Sequence, residues 1–389
     1  MNTNHTGRVS RRRVLQTVAG SGFVSIAGCG SLSSDDTEPG ELKWEFNRSL
    51  VEFSSPTVVD GTVYLGFDHS DALYAVDAET GEEEWAFTEP SWRVTVSPAV
   101  ADGTVYVGSW DETVYAVDAE TGESEWEFTD SSGEIRSTTA AGGIVYVGSW
   151  DGTVYAVGAE TGESEWEFTG PSEGLHSSPT VADGIVYVGS WDGTLYAVDA
   201  ETGEREWAFT EPSGEVESSP TVAEGTVYVG SWDETVYAVD AETGEREWEF
   251  TDPSDTVRSS PTVSAGTVYV GSADTTLYAV DAETGEREWA FTEPSAGVNS
   301  SPTVAGGIVY VGSWDGTVYA VSAETGEQEW AFTEPNGIMQ SSPTVAEGTL
   351  YVGSADGSLY AVDAGVDGSS EDSRVVLGTL GHHDETVTN

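Results

Sequence analysis

Residues 177–209 read SSPTVADGIVYVGSWDGTLYAVDAETGEREWAF, and this stretch decides the fold. It holds four short apolar runs, SSPTV, IVYVGS, TLYAVD and EWAF, which are separated by the turn sequences ADG, WDG and ETGE. The run VYV is too short for a helix and rich in β-branched and aromatic residues. Turns of this composition reverse the chain between adjacent strands. The stretch therefore predicts four strands, A to D, in alternating directions.

Near copies of this stretch follow one another with a period of 40 or 41 residues. The tryptophan of strand D marks each copy, at Trp44, Trp85, Trp126, Trp166, Trp207, Trp248, Trp289 and Trp330. Four strand-like pieces in such a period are typical of a propeller blade. The sequence predicts an all-β chain that forms an eight-bladed β-propeller of four-stranded blades. We expect the eight tryptophans to pack between blades rather than to stack on a ligand.

The number of strands of each kind predicts how the ring closes. Strands A, B and C each occur eight times after residue 50, but strand D follows its own C strand only seven times. The eighth D strand stands alone at the start, as Trp44-Glu45-Phe46. It should complete the last blade and remove the exposed sheet edges of an open array. The alternatives are an open solenoid and closure by the tail segment VVLGTL, residues 375–380. The propeller is assigned to residues 41–365.

The segment AVDAETGEEEW, Ala75 to Trp85, and its copies resemble the tryptophan-docking repeat of quinoprotein-type propellers, the PQQ-like repeat family. The resemblance covers nearly all of residues 41–365. The family includes dehydrogenases that depend on pyrroloquinoline quinone (PQQ). It also includes non-enzymatic members, such as the eight-bladed propeller lipoprotein of the bacterial outer-membrane barrel-assembly machinery. A WD40 repeat fits less well, because Ser-Trp-Asp lies here between strands B and C.

The first 28 residues are predicted to be a twin-arginine lipoprotein signal. SRRRVLQ at residues 10–16, with Arg11 and Arg12, resembles signals that export folded proteins, and a short apolar run follows it. IAGC at residues 26–29 resembles a lipobox, whose cysteine, Cys29, becomes the lipid-modified first residue. Residues 29–40 are then a flexible tether, and residues 366–389 an acidic, disordered tail. These features predict a lipid-anchored protein on the outer face of the cell membrane.

The charge is strongly acidic, with 69 Asp and Glu residues against 13 Lys and Arg residues. Removal of the signal, which holds four arginines and no acid, leaves a net charge of −60. Binding of nucleic acid through bulk charge is excluded, because it requires cations. Acids spread over every repeat, with a single lysine, resemble proteins of halophilic archaea. Molar salt would screen this repulsion, since the Debye length falls to about 3 Å at 1 M. The alternative is an acidic soluble protein without that adaptation.

The sequence offers no recognisable catalytic set. Its five histidines show no His-x-x-x-His spacing, and no glycine-rich phosphate loop occurs. The PQQ-dependent dehydrogenases of the resembling family use a vicinal cysteine pair and a calcium site. Here Cys29 is the single cysteine, and nothing identifies calcium ligands. We therefore expect no catalytic residue, no metal and no cofactor; PQQ with calcium, in a redox enzyme, is the alternative.

The copies differ from one another mainly in the connection from strand D to the next strand A. The position three residues before the proline of the Ser-Ser-Pro motif varies from blade to blade, and in the third blade, where the motif degrades to STTAA, Arg136 takes that place. The eight residues are Phe53, Thr95, Arg136, His176, Glu217, Arg258, Asn299 and Gln340. The B-to-C turns lie on the same face, because strands alternate in direction. They carry Trp110, Trp150, Trp191, Trp232 and Trp314, and Trp92 joins them from a D-to-A loop. Phe67, Ala273 and Ala355 take the turn position in the other blades.

This face is predicted to combine an aromatic ring with a varied polar centre at the mouth of the channel. Aromatic and arginine side chains are common anchors of protein contacts. We expect a scaffold that binds an extracytoplasmic protein or glycan through this face. Drift at tolerant loop positions, combined with packing of the turns, is the alternative interpretation.

Overall fold

The computed structural model describes residues 38–48, 54–67 and 71–370. These residues form eight antiparallel sheets of four strands each, arranged as a ring, and no α-helix. The predicted eight-bladed propeller is confirmed. The predicted signal with Arg11, Arg12 and Cys29, the tether up to residue 37, Phe53 and residues 371–389 lie outside the described residues. Within the described ranges, no helix is long and apolar enough to cross a membrane.

Strands are numbered along the chain, and each blade runs from an innermost strand A to an outermost strand D. The A strands of blades 1 to 8 are β2 (Thr57–Val59), β6 (Ala99–Ala101), β10 (Ile135–Ala141), β14 (Thr180–Ala182), β18 (Thr221–Ala223), β22 (Thr262–Ser264), β26 (Thr303–Ala305) and β30 (Thr344–Ala346). The B strands are β3 (Thr62–Phe67), β7 (Thr104–Gly108), β11 (Ile144–Ser149), β15 (Ile185–Gly189), β19 (Thr226–Gly230), β23 (Thr267–Gly271), β27 (Ile308–Gly312) and β31 (Thr349–Ser354).

The outer half of each blade is equally regular. The C strands are β4 (Ala72–Asp77), β8 (Val114–Asp118), β12 (Val154–Gly158), β16 (Leu195–Asp199), β20 (Val236–Asp240), β24 (Leu277–Asp281), β28 (Val318–Ser322) and β32 (Ser358–Asp363). The D strands of blades 1 to 7 are β5 (Glu83–Phe87), β9 (Ser124–Phe128), β13 (Ser164–Phe168), β17 (Arg205–Phe209), β21 (Arg246–Phe250), β25 (Arg287–Phe291) and β29 (Gln328–Phe332). The D strand of blade 8 is β1 (Leu42–Asn47).

Strand β1 closes the ring, as the strand count predicted. It pairs antiparallel with β32, so that Phe46 lies opposite Leu359. The open-solenoid alternative is wrong, because blade 8 also contacts blade 1. There the indole Nε1 of Trp44 donates to the carbonyl of Ala78 at 3.0 Å. This bond joins the outer strand of the last blade to the first blade.

Adjacent blades dock through one repeated set of contacts. In blade 4 the indole Nε1 of Trp207 and the hydroxyl of Tyr187 both donate to the Ala241 carbonyl in blade 5, at 3.0 and 3.3 Å. The indole lies flat on Gly244, where an added Cβ would come within 2.7 Å of the ring. Gly244 also has a φ of 72°, so a side chain is disfavoured there for two reasons. The indole bond recurs at Trp44, Trp85, Trp126, Trp166, Trp248 and Trp289.

Gly40 completes the same pattern at the interface between blades 7 and 8. Blade 8 has no C-to-D turn, because its C and D strands come from opposite ends of the propeller. Gly40 takes the place of the turn glycine: its N–H donates to the Asp363 carbonyl at 2.9 Å, as Gly81 does to Asp77. The indole of Trp330 lies against it, 3.1 Å from an added Cβ. The sequence predicts a tether up to residue 40, but Gly40 belongs to the closed ring.

Blade 3 departs from the repeat by one residue. Four residues separate Leu175 from Thr180 in blade 4, but three separate Ile135 from Thr139 in blade 3. Thr139 and Thr180 are equivalent, since each hydroxyl donates to a proline carbonyl of the next blade. Thr138 therefore stands where the other blades have proline, which lacks the N–H that a strand needs. Without it, β10 runs through seven residues, with a register shift after Ile135.

The packed chain continues beyond the predicted boundary at residue 365. The hydroxyl of Ser370 donates to the Val345 carbonyl at 3.0 Å and accepts from the Val345 N–H at 3.2 Å. Gly348 donates to the carbonyl of Gly368 at 3.2 Å. Residues 366–370, which were assigned to the disordered tail, are thus held on the innermost strand of blade 8.

A candidate binding face at the channel mouth

The D-to-A connections and the B-to-C turns share one face, which we name the upper face. Of the eight diversified positions, five border a single cavity of about 310 Å³ at the channel mouth. These five are Thr95, Arg136, His176, Glu217 and Gln340. Ser341, Ser354 and Ala355 of blade 8 form the opposite wall. Arg258 and Asn299 are the other two diversified positions that the structure describes. Together with the five residues at the cavity, they are called the rim residues.

The Trp-Asp dipeptides of the B-to-C turns are held by the aspartate. In blade 4, Asp192 accepts hydrogen bonds from the Tyr196 hydroxyl at 2.9 Å and from the Thr194 N–H at 3.0 Å. It also accepts from the N–H of Ser172 in the D-to-A loop at 2.9 Å, so the turn and the loop are fixed together. Burial and this carboxylate raise the pKa of Tyr196 to about 12. The turn thereby presents its tryptophan, Trp191, beside the channel.

Arg136 lies between the tryptophans of two blades. Its guanidinium carbon is 4.1 Å from the ring centroid of Trp110 and 4.8 Å from that of Trp150. Its Nη2 pairs with the Glu134 carboxylate. Burial lowers the pKa of Arg136, and Glu134 partly opposes that effect. Such an arrangement is a cation–π contact, which holds the guanidinium plane and leaves its N–H edge to other partners.

His176 occupies the equivalent place one blade further. Its ring stacks on Trp191, with centroids 4.5 Å apart and planes 15° apart. Trp150 meets it edge-on, with centroids 4.8 Å apart. Burial and the nearby guanidinium groups of Arg136 and Arg258 lower the pKa of His176 to about 3. The imidazole is therefore neutral over the physiological pH range.

Glu217 and Arg258 continue the row into blades 5 and 6. Trp232 donates its indole N–H to the Glu217 carboxylate at 2.8 Å, and the Arg258 guanidinium lies 4.2 Å from the Trp232 ring centroid. The Arg258 Nε is 3.9 Å from the same carboxylate, too far for a hydrogen bond. At the other end of the row, Trp110 donates to the Thr95 hydroxyl at 2.9 Å.

The aromatic side chains form an arc over blades 2 to 5 rather than the predicted ring. Phe67 of blade 1 is fully buried and packs on Tyr74, and alanines take the turn position in blades 6 and 8. Trp314 stands apart in blade 7. Large aromatic surface is nevertheless exposed, at 49% of Trp92, 38% of Trp150 and 37% of Trp314. The mouth is thus asymmetric, with aromatic and charged groups on one side and small neutral ones on the other.

Several buried polar atoms of this face have no hydrogen-bond partner. They are the Nε atoms of Arg136 and Arg258, His176 Nε2, Trp191 Nε1, Glu215 Oε2, Asp233 Oδ1 and Asn299 Oδ1. Most protein interiors leave very few such atoms, because each costs about 1–3 kcal/mol. In native proteins such atoms are satisfied by protein groups, ordered water or a bound ligand, so the mouth offers several positions for polar partners.

Sequence reasoning missed two neighbours of the rim residues. Arg93 lies over the outer side of Trp110, with its guanidinium carbon 4.6 Å from the ring centroid. Glu134 holds Arg136 in place. Both belong to the D-to-A connections, and Arg93 is one of nine basic residues after Cys29. Because basic residues are so rare in this chain, the presence of Arg93 in a D-to-A connection could have marked it as a candidate site residue.

The residues present do not fit a quinone site with calcium. The described residues contain no group of three or more His, Cys, Asp or Glu side chains that could hold a metal ion. The sequence after Cys29 contains no cysteine, so a vicinal cysteine pair cannot form within the propeller.

The chain is similar to known propeller proteins. A family model described as outer membrane protein assembly factor BamB matches residues 28–140, 131–216, 210–289 and 255–379. The chain belongs to this family. BamB from Moraxella catarrhalis superposes with a TM-score of 0.69 at 21% identity, over 82% of this chain and 96% of that protein.

A designed propeller is also similar to this member of the BamB family. The computationally designed Ika8 protein gives a TM-score of 0.75 at 19% identity, over 82% of this chain and 97% of Ika8. At these identities both likenesses show the fold alone. No curated protein matches the sequence. The predicted membership of the PQQ-like repeat family is confirmed.

Proposed function

We propose that this protein is a lipid-anchored extracytoplasmic scaffold that binds another protein through its upper face. The observation that carries the proposal is the convergence of the non-repeated residues. The blades are near copies, yet five of the positions that differ border one cavity, beside tryptophans with large exposed surface. Exposed aromatic patches with arginine are typical of protein contact sites.

The BamB family supports the choice of a protein as the partner. The matching model is described as an assembly factor for outer membrane proteins, which implies action on other proteins. The upper face also offers hydrophobic surface and charged groups side by side, as the centre and rim of protein interfaces do. Glycan binding by the exposed tryptophans is the alternative outcome of the tests below.

The N-terminal residues supply the proposed location. Arg11 and Arg12 would direct export of the folded propeller, and Cys29 would carry the lipid. Gly40, eleven positions after Cys29, already belongs to the closed ring. A tether of this length would hold the propeller close to the membrane and leave the ring free to turn toward a partner.

Photo-crosslinking tests the proposal directly. The opposite face, which carries the C-to-D turns, is the lower face. A photoreactive amino acid replaces Trp92 on the upper face or, as a matched control, the exposed Glu242 in a C-to-D turn of the lower face. In native membranes and molar salt, position 92 should give a discrete protein adduct and position 242 should not. Adducts from position 242 alone would mean that the wrong face was chosen, and a protease-resistant, glycan-positive adduct would replace protein by glycan.

Alanine substitutions provide the second test. Changing Arg136, Arg258 and Trp191 together should abolish partner capture without altering the secondary structure measured by circular dichroism. Changing the lower-face residues Arg205, Arg246 and Arg287 should leave capture intact. The opposite pattern would contradict the assignment of the face.

A further inference from the structure

The arc of tryptophans holds cationic groups next to a neutral histidine in a protein of net charge −56. Arg136 and Arg258 approach His176 from either side, and both act to disfavour its protonation. The local field at His176 is therefore positive, against the sign of the whole molecule. A surface that keeps scarce positive groups together in this way suits a negatively charged ligand.

The unpaired buried side-chain atoms of blades 3 and 4 at this place are all nitrogens that can donate, and Arg258 of blade 6 adds another. The Nε–H groups of Arg136 and Arg258 and the indole N–H of Trp191 can only donate, and each lacks an acceptor. His176 Nε2 can donate in its neutral form. A ligand rich in acceptor oxygens would satisfy these groups and recover the cost of leaving them unpaired.

Two acidic neighbours of these donors, Glu134 and Glu217, already have partners within the face. Glu134 pairs with Arg136, and the Glu217 carboxylate accepts from Trp232. Burial, together with Glu217 and Glu173, raises the pKa of Glu215. The unpaired acceptors of the face, Glu215 Oε2, Asp233 Oδ1 and Asn299 Oδ1, belong to blades 5 and 7, whereas the unpaired atoms of blades 3 and 4 are nitrogens that donate. This imbalance selects against a cationic ligand and in favour of a carboxylate.

We propose that the part of the mouth formed by Arg136, His176, Trp191 and Arg258 binds carboxylate side chains from an acidic segment of the partner protein. This inference rests on the proposed scaffold function and names the chemistry of its partner. Trp150 contacts both Arg136 and His176 and is itself exposed, so its ring lies between these two side chains and solvent. The neutral wall at Gln340 and Ala355 then accommodates the peptide chain.

Molar salt does not remove such an interaction. The Debye length of about 3 Å at 1 M screens the repulsion from the distant acids of the propeller, but barely affects groups in hydrogen-bond contact. Charge-assisted hydrogen bonds in a partly buried site are the contacts that persist. Recognition of an acidic partner by an acidic protein therefore becomes feasible at this mouth.

The test uses the acetylated and amidated hexapeptide of glutamate in 1 M potassium chloride, followed by tryptophan fluorescence. The whole exported chain should show saturable binding with a change in emission, because Trp150 and Trp191 border the site. Hexaglutamine and hexalysine should not bind. Arg136→Gln and Arg258→Gln should each weaken the affinity about ten-fold or more. The matched control Arg246→Gln, on the lower face, should bind as the parent does.

The outcomes separate this inference from the function on which it rests. Absent hexaglutamate binding, equal binding of hexaglutamine, or affinity unchanged in both arginine variants would overturn the carboxylate site. If crosslinking from position 92 to a partner persisted in that case, the scaffold function would stand. Specific hexaglutamate binding without any crosslinked partner would instead overturn the scaffold function. The circular dichroism spectrum of each variant shows whether the substitution disturbed the fold.

Discussion

Strand β1 is held to blade 8 only by noncovalent contacts, because no turn joins it to β32, and this predicts an unusual response to the loss of one side chain. Phe46 is 6% exposed and contacts Phe67 and Tyr74, with ring centroids 6.2 and 5.9 Å apart. Replacing a buried phenylalanine by alanine costs about 3–5 kcal/mol. Phe46→Ala should therefore lower the melting temperature by roughly 5–10 °C.

Phe250 provides a matched control. It holds the equivalent place in blade 5, is 4% exposed, and contacts Tyr278 at 5.4 Å. Phe250→Ala should lower the unfolding free energy by a similar amount. However, β21 follows β20 after a five-residue turn, so a loosened β21 stays near its partner. Strand β1 has no such turn and is connected to β32 only through the entire ring.

Hydrogen exchange separates the two variants. In Phe46→Ala the amides of β32 should exchange through local opening, well before global unfolding. In Phe250→Ala the amides of β20 should exchange at a rate close to that of the parent protein. Equal exchange of β32 and β20 in the two variants would refute the view that closure is the weak point of the ring. So would an unchanged melting temperature after deletion of residues 42–46.

Three further predictions concern the salt dependence of stability, the export and membrane anchoring of the protein, and the pH dependence of its stability. Circular dichroism melts should give a much lower melting temperature at 0.1 M than at 3 M potassium chloride, since the screening length is about 10 Å at 0.1 M but falls to about 3 Å already at 1 M. Identical melts would remove the halophile interpretation. Cys29→Ser should release the protein from membranes into the medium, and Arg11→Lys with Arg12→Lys should block export; fractionation and immunoblotting decide both, and a membrane-bound Cys29→Ser protein would place the anchor elsewhere. Because the pKa of His176 is about 3 in the fold and near 6.5 when unfolded, the unfolded chain alone gains this proton as the pH falls below 6.5. Between pH 6.5 and 5 the parent should thus lose about 2 kcal/mol more stability than His176→Gln, and parallel pH profiles would contradict the assigned environment.

The sequence predicts the blades well because every level of the repeat agrees. Strand-forming runs, turn residues and the tryptophan period all indicate one unit, and the surplus D strand indicates closure. Small departures were harder to predict. The deletion in blade 3 extends β10 because Thr138 replaces a proline, and the effect depends on pairing across the sheet. The function of Gly40 depends on its neighbour Asp363, more than 300 positions away in the sequence.

The sequence predicts which face of the propeller carries the candidate site, because strand direction alternates. It does not predict the contacts between the side chains of that site. Alternating strands place the D-to-A and B-to-C connections together, and the pattern of variation singles out the rim residues. Their contacts result from packing between blades: Arg136 lies on the tryptophan of the preceding blade as well as on that of its own. Phe67 was grouped with the turn aromatics by its position, yet it is buried because the first blade packs against the closing strand.

The uniform contact between blades makes neighbours interchangeable. An indole placed on a glycine and bonded to an alanine carbonyl fits any copy of the next blade, so duplication or recombination of a blade-length gene segment would create no mismatched seam. Each exchanged unit would carry its own rim residue and turn residue into the mouth. Selection could therefore rearrange the order of Arg136, His176, Glu217 and Arg258 around the channel without redesigning the body that supports them. The contacts between blades are therefore constant around the ring, whereas the rim and turn residues at the mouth can be exchanged blade by blade.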